Sequence, residues 1–458
     1  MRNRHLSFAS KYIRILFLSV FIISLALRIS LASVNHEAND PHLEVTQIIL
    51  QTGKLPTWDK CWECFQPKLY HVTLAALFKI TDTTNPNSQI LLANLLNVLA
   101  GVLTLVLIYK FLLSQSFNPL LSLLAFSFAA LNPKFIAINA QATNDSFLIL
   151  FSTCALIIFY KFILQNKISY FVFIILLTAL AVSIKTSGFV TFIAILLVLV
   201  IQIILNSDRR GYFGILALIY LISVLAFVAF NPLNQYGENY HQVGTFFALN
   251  IERQPVPHFR QQTATARPGI LSIQDGFLTF KFFDLLAHPR IENSINGHLQ
   301  HRTSLWTQLY GRAHSLNFDN WPPTWSTRDN NLFPLLRIIY VLALFPTALI
   351  ILGIFIQIKQ LLFAITRRNR PSPDMQLGIF PLVLLGYVVF VALYALLYRD
   401  FSTMKAVFLL PALPAYPLAF LVVIENRPRW FYYLLFGISL PLLCLYVADV
   451  VNLILRLV

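Results

Sequence analysis

Charged residues are scarce in this chain. They make up 12% of its 458 residues, about half the fraction in ordinary soluble domains, while 57% of the residues are hydrophobic. Several runs of roughly 18 or more residues contain almost no charge, which is long enough to cross a hydrocarbon core about 30 Å thick. This composition excludes a soluble globular protein and predicts an all-α polytopic integral membrane protein.

Cysteine is also rare, with four residues in the whole sequence. Cys154 and Cys444 fall in apolar runs, where we expect them to pack against neighbouring side chains. Cys61 and Cys64 lie in a polar loop with the spacing of a short metal motif, but a zinc site would need two more ligands and His71 is the only near candidate. We therefore predict no metal site here and expect a local disulfide that braces the loop.

The basic residues, which give a net charge of +15, are spread over many short loops and do not gather on one face. That distribution argues against a nucleic-acid partner and is typical of the positive-inside signal of membrane proteins. With the basic N-terminus 1–14 in the cytoplasm, the apolar runs predict about eleven transmembrane helices. The predicted spans are residues 15–34, 88–109, 117–131, 146–164, 169–184, 188–205, 212–230, 333–358, 377–397, 402–424 and 431–450.

The acidic residues show a second bias. Of the nineteen Asp and Glu residues, only Asp208, Asp374 and Glu425 fall on the predicted cytoplasmic side. The two long loops, 35–87 and 231–332, both lie on the opposite side, where we predict the functional site. The predicted organisation is thus a cytoplasmic N-terminus (1–14), a first transmembrane module (15–230) with the first outer loop (35–87), a large extracytoplasmic loop (231–332) and a second transmembrane module (333–458).

The first outer loop contains two short stretches with helical periodicity and an apolar face, His42–Thr52 and Lys68–Ile80. Each is too short to span a bilayer, so we predict two amphipathic helices that lie parallel to the membrane. In the second loop, which is rich in His, Arg, Asn, Trp and Pro, we expect short helices and ordered connections.

Asp40 is the first candidate catalytic residue, because a carboxylate at a membrane edge could act as general base on an acceptor hydroxyl. Glu37 lies just before it, and His42 and Glu44 follow as candidate substrate contacts. Capping of the helix that begins near Pro41 is the structural alternative for Asp40, and the two roles are compatible.

Asp145, in Asn144-Asp145 at the start of the fourth span, is a second acidic point on the same face. It could orient a substrate or share a divalent cation with phosphate oxygens, although capping by Asn144 and Asp145 explains the same residues. Three cations also lie on this face and could hold a lipid-linked phosphate: Lys185, Arg399 and Lys405. For these, snorkelling of the side chain to the interface is the alternative.

Aromatic and polar groups alternate in the second outer loop, around Trp306, Arg312 and His314. Sugar-binding sites use this combination, because apolar ring faces stack on Trp and Tyr while polar groups bind hydroxyls. An aromatic belt at the membrane interface is the other interpretation of the same residues.

Taken in order, these motifs resemble the GT-C membrane glycosyltransferases, and most of all the branch of protein mannosyltransferases and aminoarabinose transferases. Members of that superfamily carry an acidic motif in the first outer loop, then a Gly-x-x-Pro-like turn and a Gln/Lys-Pro-x-Leu-Tyr segment. The matching segments are Asn39-Asp40-Pro41-His42, Gly53-Lys54-Leu55-Pro56, Gln66-Pro67-Lys68-Leu69-Tyr70, Asn132-Pro133 with Asn144-Asp145, Lys185-Thr186-Ser187-Gly188, and Lys405 with Leu410-Pro411-Ala412-Leu413-Pro414.

The resemblance implies a GT-C fold and a polyprenyl-phosphate sugar as donor. It implies that Asp40 is the general base, Asp145 a second acidic site, and Arg399 or Lys405 the group that neutralises the lipid phosphate as it leaves. Many relatives have Asp-Glu where this chain has Asn39-Asp40, so a shifted alignment would give the role of base to Glu37.

The prediction is thus a glycosyltransferase that moves a sugar from a polyprenyl-phosphate donor to a glycan, lipid or protein acceptor, and the resemblance implies that transfer inverts the anomeric configuration. The predicted location is the extracytoplasmic face of a bacterial plasma membrane. No cofactor is required by the sequence, and a divalent cation stays open. A transporter or flippase of lipid-linked sugars is the alternative function, but the near absence of charge within the spans and the lack of repeated halves disfavour it.

Overall fold

The computed structural model describes residues 2–38, 41–247, 272–291, 303–317, 323–326, 330–367, 378–398 and 403–458. Two predicted site residues, Asp40 and Arg399, lie outside the described residues. Within the described ranges the chain forms helices and connecting loops, as the predicted all-α class requires.

The first half of the chain runs through ten helices. Their bounds are α1 Arg2–Val34, α2 His42–Thr52, α3 Leu69–Ile80, α4 Pro86–Leu113, α5 Pro119–Ala130, α6 Pro133–Asn139, α7 Asp145–Gln165, α8 Ile168–Ile184, α9 Gly188–Leu205 and α10 Arg210–Phe230. The two helices predicted in the first outer loop are confirmed: α2 has the predicted bounds, and α3 begins one residue later than predicted.

The second half contains short helices followed by long ones. The short helices are α11 Tyr236–Val243, α12 Ile273–Phe277, α13 Phe282–Ala287 and α14 Leu305–His314. The remaining elements are α15 Phe333–Arg367, α16 Ile379–Tyr398, a 3₁₀ segment Ala406–Ala412, α17 Ala415–Ile424 and α18 Arg429–Leu457. The described parts of the second outer loop therefore contain the short helices that its sequence predicts.

Asn-Pro pairs determine where three of the helices begin. Asn85, Asn118 and Asn132 each precede a proline at the first helical position, and each side chain accepts a hydrogen bond from a main-chain N–H of the first turn. Proline loses nothing at this position because its missing N–H would have no helical partner. The asparagine side chain accepts from another N–H of the first turn that also lacks a helical partner.

Among the described residues, eight helices are long and apolar enough to cross a membrane, and ten spans result if each of two bent pairs counts as one. The predicted number of eleven is not confirmed. The predicted span 169–184 forms α8, whose 17 residues cover about 25 Å, less than a hydrocarbon core of about 30 Å. Large apolar side chains such as Leu18 and Ile215 are exposed along the long helices, as expected of surfaces that face lipid.

The bent pairs are α5 with α6, at 52°, and the 3₁₀ segment with α17, at 74°. The predicted span 402–424 is therefore broken rather than straight. Its Pro411 and Pro414 lack the N–H that a continuous helix needs and clash with the preceding turn, which explains the break.

Both outer loops meet at one end of the bundle, which we call the loop end. The side-chain amide of Asn35 after α1 donates to Ala140 O at 3.0 Å, and the main-chain N–H of Lys68 donates to Leu233 O at 2.7 Å. These contacts join the first outer loop to the turn before α7 and to the beginning of the second outer loop.

Candidate active site at the loop end

An ion pair between Asp145 and Lys185 lies at the loop end. Lys185 Nζ is 2.7 Å from Asp145 Oδ1, and the side chains are only 14% and 9% exposed, respectively. Asp145 begins α7 and Lys185 directly follows α8, so the pair forms because these two helices pack against each other. Two residues that the sequence singled out separately are thus brought together.

The surroundings of the pair contribute a second carboxylate contact and an aromatic ring. The hydroxyl of Thr143 donates to Asp145 Oδ2 at 3.1 Å. On the other side, the ammonium of Lys185 lies 5.4 Å from the ring centroid of Phe408, which belongs to the 3₁₀ segment. Lys405 is half-buried at the start of this segment, and its carbonyl accepts a hydrogen bond from the main-chain N–H of Phe408 at 3.2 Å. Lys405 is therefore three residues, about one turn of 3₁₀ helix, before the residue whose ring contacts Lys185.

The capping interpretation requires the side chain of Asn144 to accept a hydrogen bond from the first turn of α7, but it makes no such bond. Its buried amide instead donates to Gln66 Oε1 and to Ile184 O, at 3.3 Å in the second case. Gln66 in turn donates to the carboxylate of Glu63, which lies between the two cysteines of the first outer loop. A chain of hydrogen bonds thus leads from the residue beside Asp145 into the first outer loop.

The disulfide predicted between Cys61 and Cys64 is confirmed. Both residues are buried and pack against Val45 of α2. Next to them the buried ammonium of Lys68 donates to the carbonyls of Cys64 and Gln66, the latter at 2.8 Å. These contacts fix the conformation of the loop segment that reaches Asn144.

His42 is buried, with its ring 5.5 Å from that of His71 on α3 in a stacked arrangement. Burial lowers the pKa of His71 well below its usual value, and the neighbouring His42 and Lys68 add to the effect. Tyr70 lies edge-on to His42, with ring centroids 6.4 Å apart, and burial raises its pKa. Glu44, by contrast, is exposed on α2.

Glu37 links the two outer loops. Its carboxylate accepts hydrogen bonds from the main-chain N–H of Thr324, at 3.3 Å, and from the hydroxyl of the same residue. Beside this contact the indole N–H of the fully buried Trp325 donates to Asn35 Oδ1 at 3.3 Å. Arg456 near the end of α18 holds the same segment by donating to Trp325 O at 2.8 Å.

The three residues predicted to contact sugar in the second outer loop have different surroundings. Trp306 is 39% exposed and donates its indole N–H to Phe277 O at 2.7 Å. Arg312 is buried and donates to Gln308 Oε1 at 3.3 Å. His314 lies with Nε2 3.1 Å from Thr347 Oγ1 and Nδ1 against the Tyr446 hydroxyl, and burial lowers its pKa to about 3. Their role in substrate binding stays a prediction.

Sequence reasoning missed Arg28, the one cation inside the first span. Its buried guanidinium donates to Asn139 Oδ1 at 2.9 Å and to Ala130 O at 3.0 Å, where α5 ends before the bend. Asn139 donates to Ser146 Oγ at 3.0 Å, and Gly101 leaves room for this side chain, because a Cβ there would lie 2.1 Å from Asn139 Oδ1. An ionisable residue within a span is itself a signal of a special role, and the average hydropathy of the run conceals it.

The second missed feature is the pair Asn94 and Asn97, three residues apart and therefore on one face of α4. Both are fully buried. Asn94 donates to Ala32 O at 3.2 Å and to Asn35 O at 3.1 Å. Asn97 donates to main-chain carbonyls of the turn that precedes Asp145.

Among the residues that the structure describes, no group of three or more His, Cys, Asp and Glu side chains is arranged to hold a metal ion. A cation shared by Asp145 with substrate phosphate oxygens would therefore need ligands from the substrate or from residues outside these ranges.

Comparison with known proteins supports the resemblance found in the sequence. Residues 67–233, which include Tyr70, Asn97, Asp145 and Lys185, match the family profile of the dolichyl-phosphate-mannose-protein mannosyltransferases. No curated protein matches the chain.

Solved structures share the fold. The archaeal oligosaccharyltransferase AglB from Archaeoglobus fulgidus, in complex with an inhibitory peptide and a dolichol-phosphate, superposes with a TM-score of 0.50 at 14% identity over 95% of this chain and 56% of that chain. ArnT from Cupriavidus metallidurans, bound to undecaprenyl phosphate, is similar with a TM-score of 0.45 at 13% identity over 97% of this chain and 75% of that chain. The chain spans little more than half the length of AglB, and at this identity the likeness shows the fold alone. The predicted GT-C fold is confirmed, in an integral membrane protein.

Proposed function

We propose that this GT-C-fold membrane protein transfers a sugar from a polyprenyl-phosphate donor to an acceptor hydroxyl at the loop end of the bundle. The observation that carries the proposal is the Asp145–Lys185 pair, which lies where the first outer loop and the 3₁₀ segment converge. It also lies within the residues that match the mannosyltransferase family. The pair offers a carboxylate and an ammonium side by side at a site that polar loops cover.

A lipid phosphate fits this location for two reasons. The family description names a dolichyl-phosphate-linked sugar, and AglB, whose fold the chain shares, was solved with a dolichol-phosphate bound. The charges suit such a ligand, because the ammonium of Lys185 lies 5.4 Å from the Phe408 ring and Lys405 is only three residues before Phe408, at the start of the 3₁₀ segment. In the proposal Arg399 or Lys405 neutralises the phosphate, and Asp145 holds Lys185 in place beside it.

The transfer itself needs a base. The acceptor oxygen attacks the anomeric carbon while its proton passes to the base, and the bond from that carbon to the phosphate oxygen breaks with both electrons leaving on polyprenyl phosphate. Such a single displacement inverts the anomeric configuration. We assign the base to Asp40, as the family resemblance implies. Glu37 is its rival, but its carboxylate already accepts two hydrogen bonds from Thr324 and serves to join the two outer loops.

The other predicted contacts complete the proposal. Trp306 offers an exposed indole for stacking on a sugar ring, whereas Arg312 and His314 act from within the second outer loop. His42 and Glu44, in the first turn of α2, follow Asp40 by two and four residues in the chain. From the positive-inside distribution of charge we infer that the loop end faces away from the cytoplasm. The membrane that we propose is a bacterial plasma membrane.

The test measures sugar transfer from labelled polyprenyl-phosphate sugars in membranes that contain the wild-type protein, Asp40→Asn or Glu37→Gln. The proposal expects transfer by the wild type, a loss of at least about 10²-fold in Asp40→Asn, and substantial activity in Glu37→Gln. Full activity in Asp40→Asn removes Asp40 as the base. The absence of transfer from every donor, together with uptake of the intact lipid-linked sugar, would support transport instead.

A further inference from the structure

The turn 140–144 between α6 and α7 is not helical, although it is buried in the bundle. Its residues are almost completely inaccessible: Gln141 is 3% exposed, Thr143 1% and Asn144 0%. Two carbonyls of the turn have main-chain partners: Gln141 O accepts from Thr143 N–H at 2.9 Å and Asn144 O accepts from Leu148 N–H at 3.2 Å. Thr143 O needs a partner from a side chain, since an unpaired carbonyl in an apolar surrounding is costly.

Asn97 of α4 supplies that partner. Its side-chain nitrogen lies 2.8 Å from Thr143 O, within hydrogen-bond distance of Gln141 O, and 3.1 Å from the hydroxyl of Tyr70. An amide nitrogen carries two hydrogens, so it can satisfy two of these three acceptors at one time. A further carbonyl of the turn, Ala140 O, accepts from the side-chain amide of Asn35 at 3.0 Å.

Thr143 connects Asn97 to the ion pair. Its carbonyl accepts from Asn97, while its hydroxyl donates to Asp145 Oδ2 at 3.1 Å. Only Thr143 therefore separates the amide of Asn97 from the Asp145 carboxylate, which holds Lys185. Through Tyr70 the same amide also contacts α3 of the first outer loop.

We propose that Asn97 is a positioning residue, which fixes the orientation of the Asp145 carboxylate, and through it Lys185, by holding the turn 140–144. The inference rests on the proposed function for its catalytic consequence. Asn97 does not touch the substrate, because it is fully buried on α4 behind the turn. It acts only through the geometry that Thr143 transmits.

Replacement by alanine removes the donors and leaves Thr143 O without the Asn97 hydrogen bond, while Gln141 O keeps only main-chain partners such as the N–H of Thr143, so the turn rearranges to satisfy Thr143 O. A displacement of about 1 Å at catalytic groups can cost on the order of 10²-fold in rate. We expect Asn97→Ala to lower kcat for sugar transfer by about tenfold to about 10²-fold, with a much smaller change in KM for the donor.

Thr104→Val is the matched control. Thr104 lies on the same helix, is fully buried, and donates its hydroxyl to Ala100 O of its own helix at 2.9 Å. Its replacement also removes a buried hydrogen bond, but none that reaches the turn, so kcat should stay near the wild-type value. An equal loss in both variants would overturn the proposal, since a general loss of packing then explains the effect.

A double variant separates positioning from general damage. If Asn97 acts through Asp145, then Asn97→Ala causes little further loss in a protein that already carries Asp145→Asn. Losses that multiply in the double variant contradict the proposal. Thr143→Val provides an independent test, because it removes the hydroxyl contact to Asp145 and keeps the carbonyl that Asn97 holds. It should reproduce the loss in kcat.

Hydrogen exchange tests whether Asn97 holds the turn 140–144, without any assay of activity. Amides of the segment 139–147 should exchange faster in Asn97→Ala than in the wild type or Thr104→Val. Equal exchange in the three proteins shows that Asn97 does not hold the turn and overturns the inference. If the wild type transfers no sugar from any donor, the proposed function fails, while the exchange measurement still decides whether Asn97 positions Asp145.

Discussion

The ammonium of Lys185 lies 2.7 Å from the carboxylate of Asp145, forty residues earlier in the chain. The two residues come together because α7 and α8 pack as an antiparallel pair, which brings the first residue of α7 next to the end of α8. Both side chains are largely withdrawn from solvent, so each charge depends on the other for compensation.

Loss of one partner of this pair should destabilise the protein. We expect Lys185→Gln to reduce the free energy of unfolding by about 3–5 kcal/mol, because an uncompensated carboxylate remains in a buried place. The measurement is thermal unfolding of the purified protein in detergent. Lys60→Gln is the control, since its pair with Asp59 is long, at 3.7 Å, and well exposed, and should contribute about 1 kcal/mol or less.

The double variant Asp145→Asn/Lys185→Gln removes both charges and should recover much of the lost stability. Its transfer activity should remain low, because the site then lacks the Lys185 ammonium that we place beside the phosphate. If Lys185→Gln unfolds no more easily than Lys60→Gln, the pair does not contribute as the structure indicates.

Gly101 should not tolerate a side chain. A Cβ at this position would lie 2.1 Å from Asn139 Oδ1, which accepts from Arg28. We expect Gly101→Ala to cost about 1–3 kcal/mol through displacement of this side chain, although alanine favours a helix. Gly214→Ala, on α10 with nothing within 4 Å of the added atom, should be neutral or stabilising. Thermal unfolding compares the two, and equal midpoints contradict the proposed tight contact.

The disulfide in the first outer loop should stabilise the protein, because it fixes the loop segment that contacts Asn144. Chain entropy predicts about 2 kcal/mol for a loop as short as that between Cys61 and Cys64. We expect Cys61→Ser/Cys64→Ser to unfold at a lower temperature than the wild type. Added reductant should lower the unfolding temperature of the wild type but not that of the double variant. Cys154→Ser, which replaces a free cysteine, is the control. An unchanged unfolding midpoint in the double variant contradicts this role.

His314 should make stability depend on pH. Burial lowers its pKa to about 3 in the folded protein, against about 6.5 in an unfolded chain. Between these values the unfolded state binds the additional proton, so the contribution is complete above about pH 6.5 and is lost as the pH falls. The slope that it contributes is at most about 1.4 kcal/mol per pH unit.

Thermal unfolding between about pH 7 and about pH 5 measures this dependence. We expect a shallower decrease in His314→Gln than in the wild type. His288→Gln, which replaces an exposed histidine, should keep the wild-type slope. Identical slopes in all three proteins contradict the burial of a neutral imidazole at 314.

Much of the fold follows from the sequence, because runs of apolar residues and Asn-Pro pairs determine the helices locally. α9 has the predicted bounds, and α2 and α3 were expected from periodicity alone. The bends are harder to predict. The apolar run 402–424 is long enough for one span, and only the consequence of Pro411 and Pro414 for the main chain shows that it breaks.

The site is predictable as a set of candidates but not as a geometry. Asp145 and Lys185 were both identified by their place at a membrane boundary, yet their contact depends on how α7 and α8 pack. Arg28 and Asn97 were missed because single polar residues hardly change the hydropathy of an apolar run. In a membrane each of these must find a partner inside the protein, and the partners are visible only in three dimensions.

Release of polyprenyl phosphate distinguishes sugar transfer from transport of the intact donor. Purified protein in liposomes receives a polyprenyl-phosphate donor with a labelled sugar and an acceptor, and both the transferred sugar and the free polyprenyl phosphate are quantified. We expect one polyprenyl phosphate to be released for each sugar transferred, and both products to be reduced together in Lys185→Gln. Movement of the intact donor across the bilayer, with no polyprenyl phosphate released, would contradict the proposed transfer.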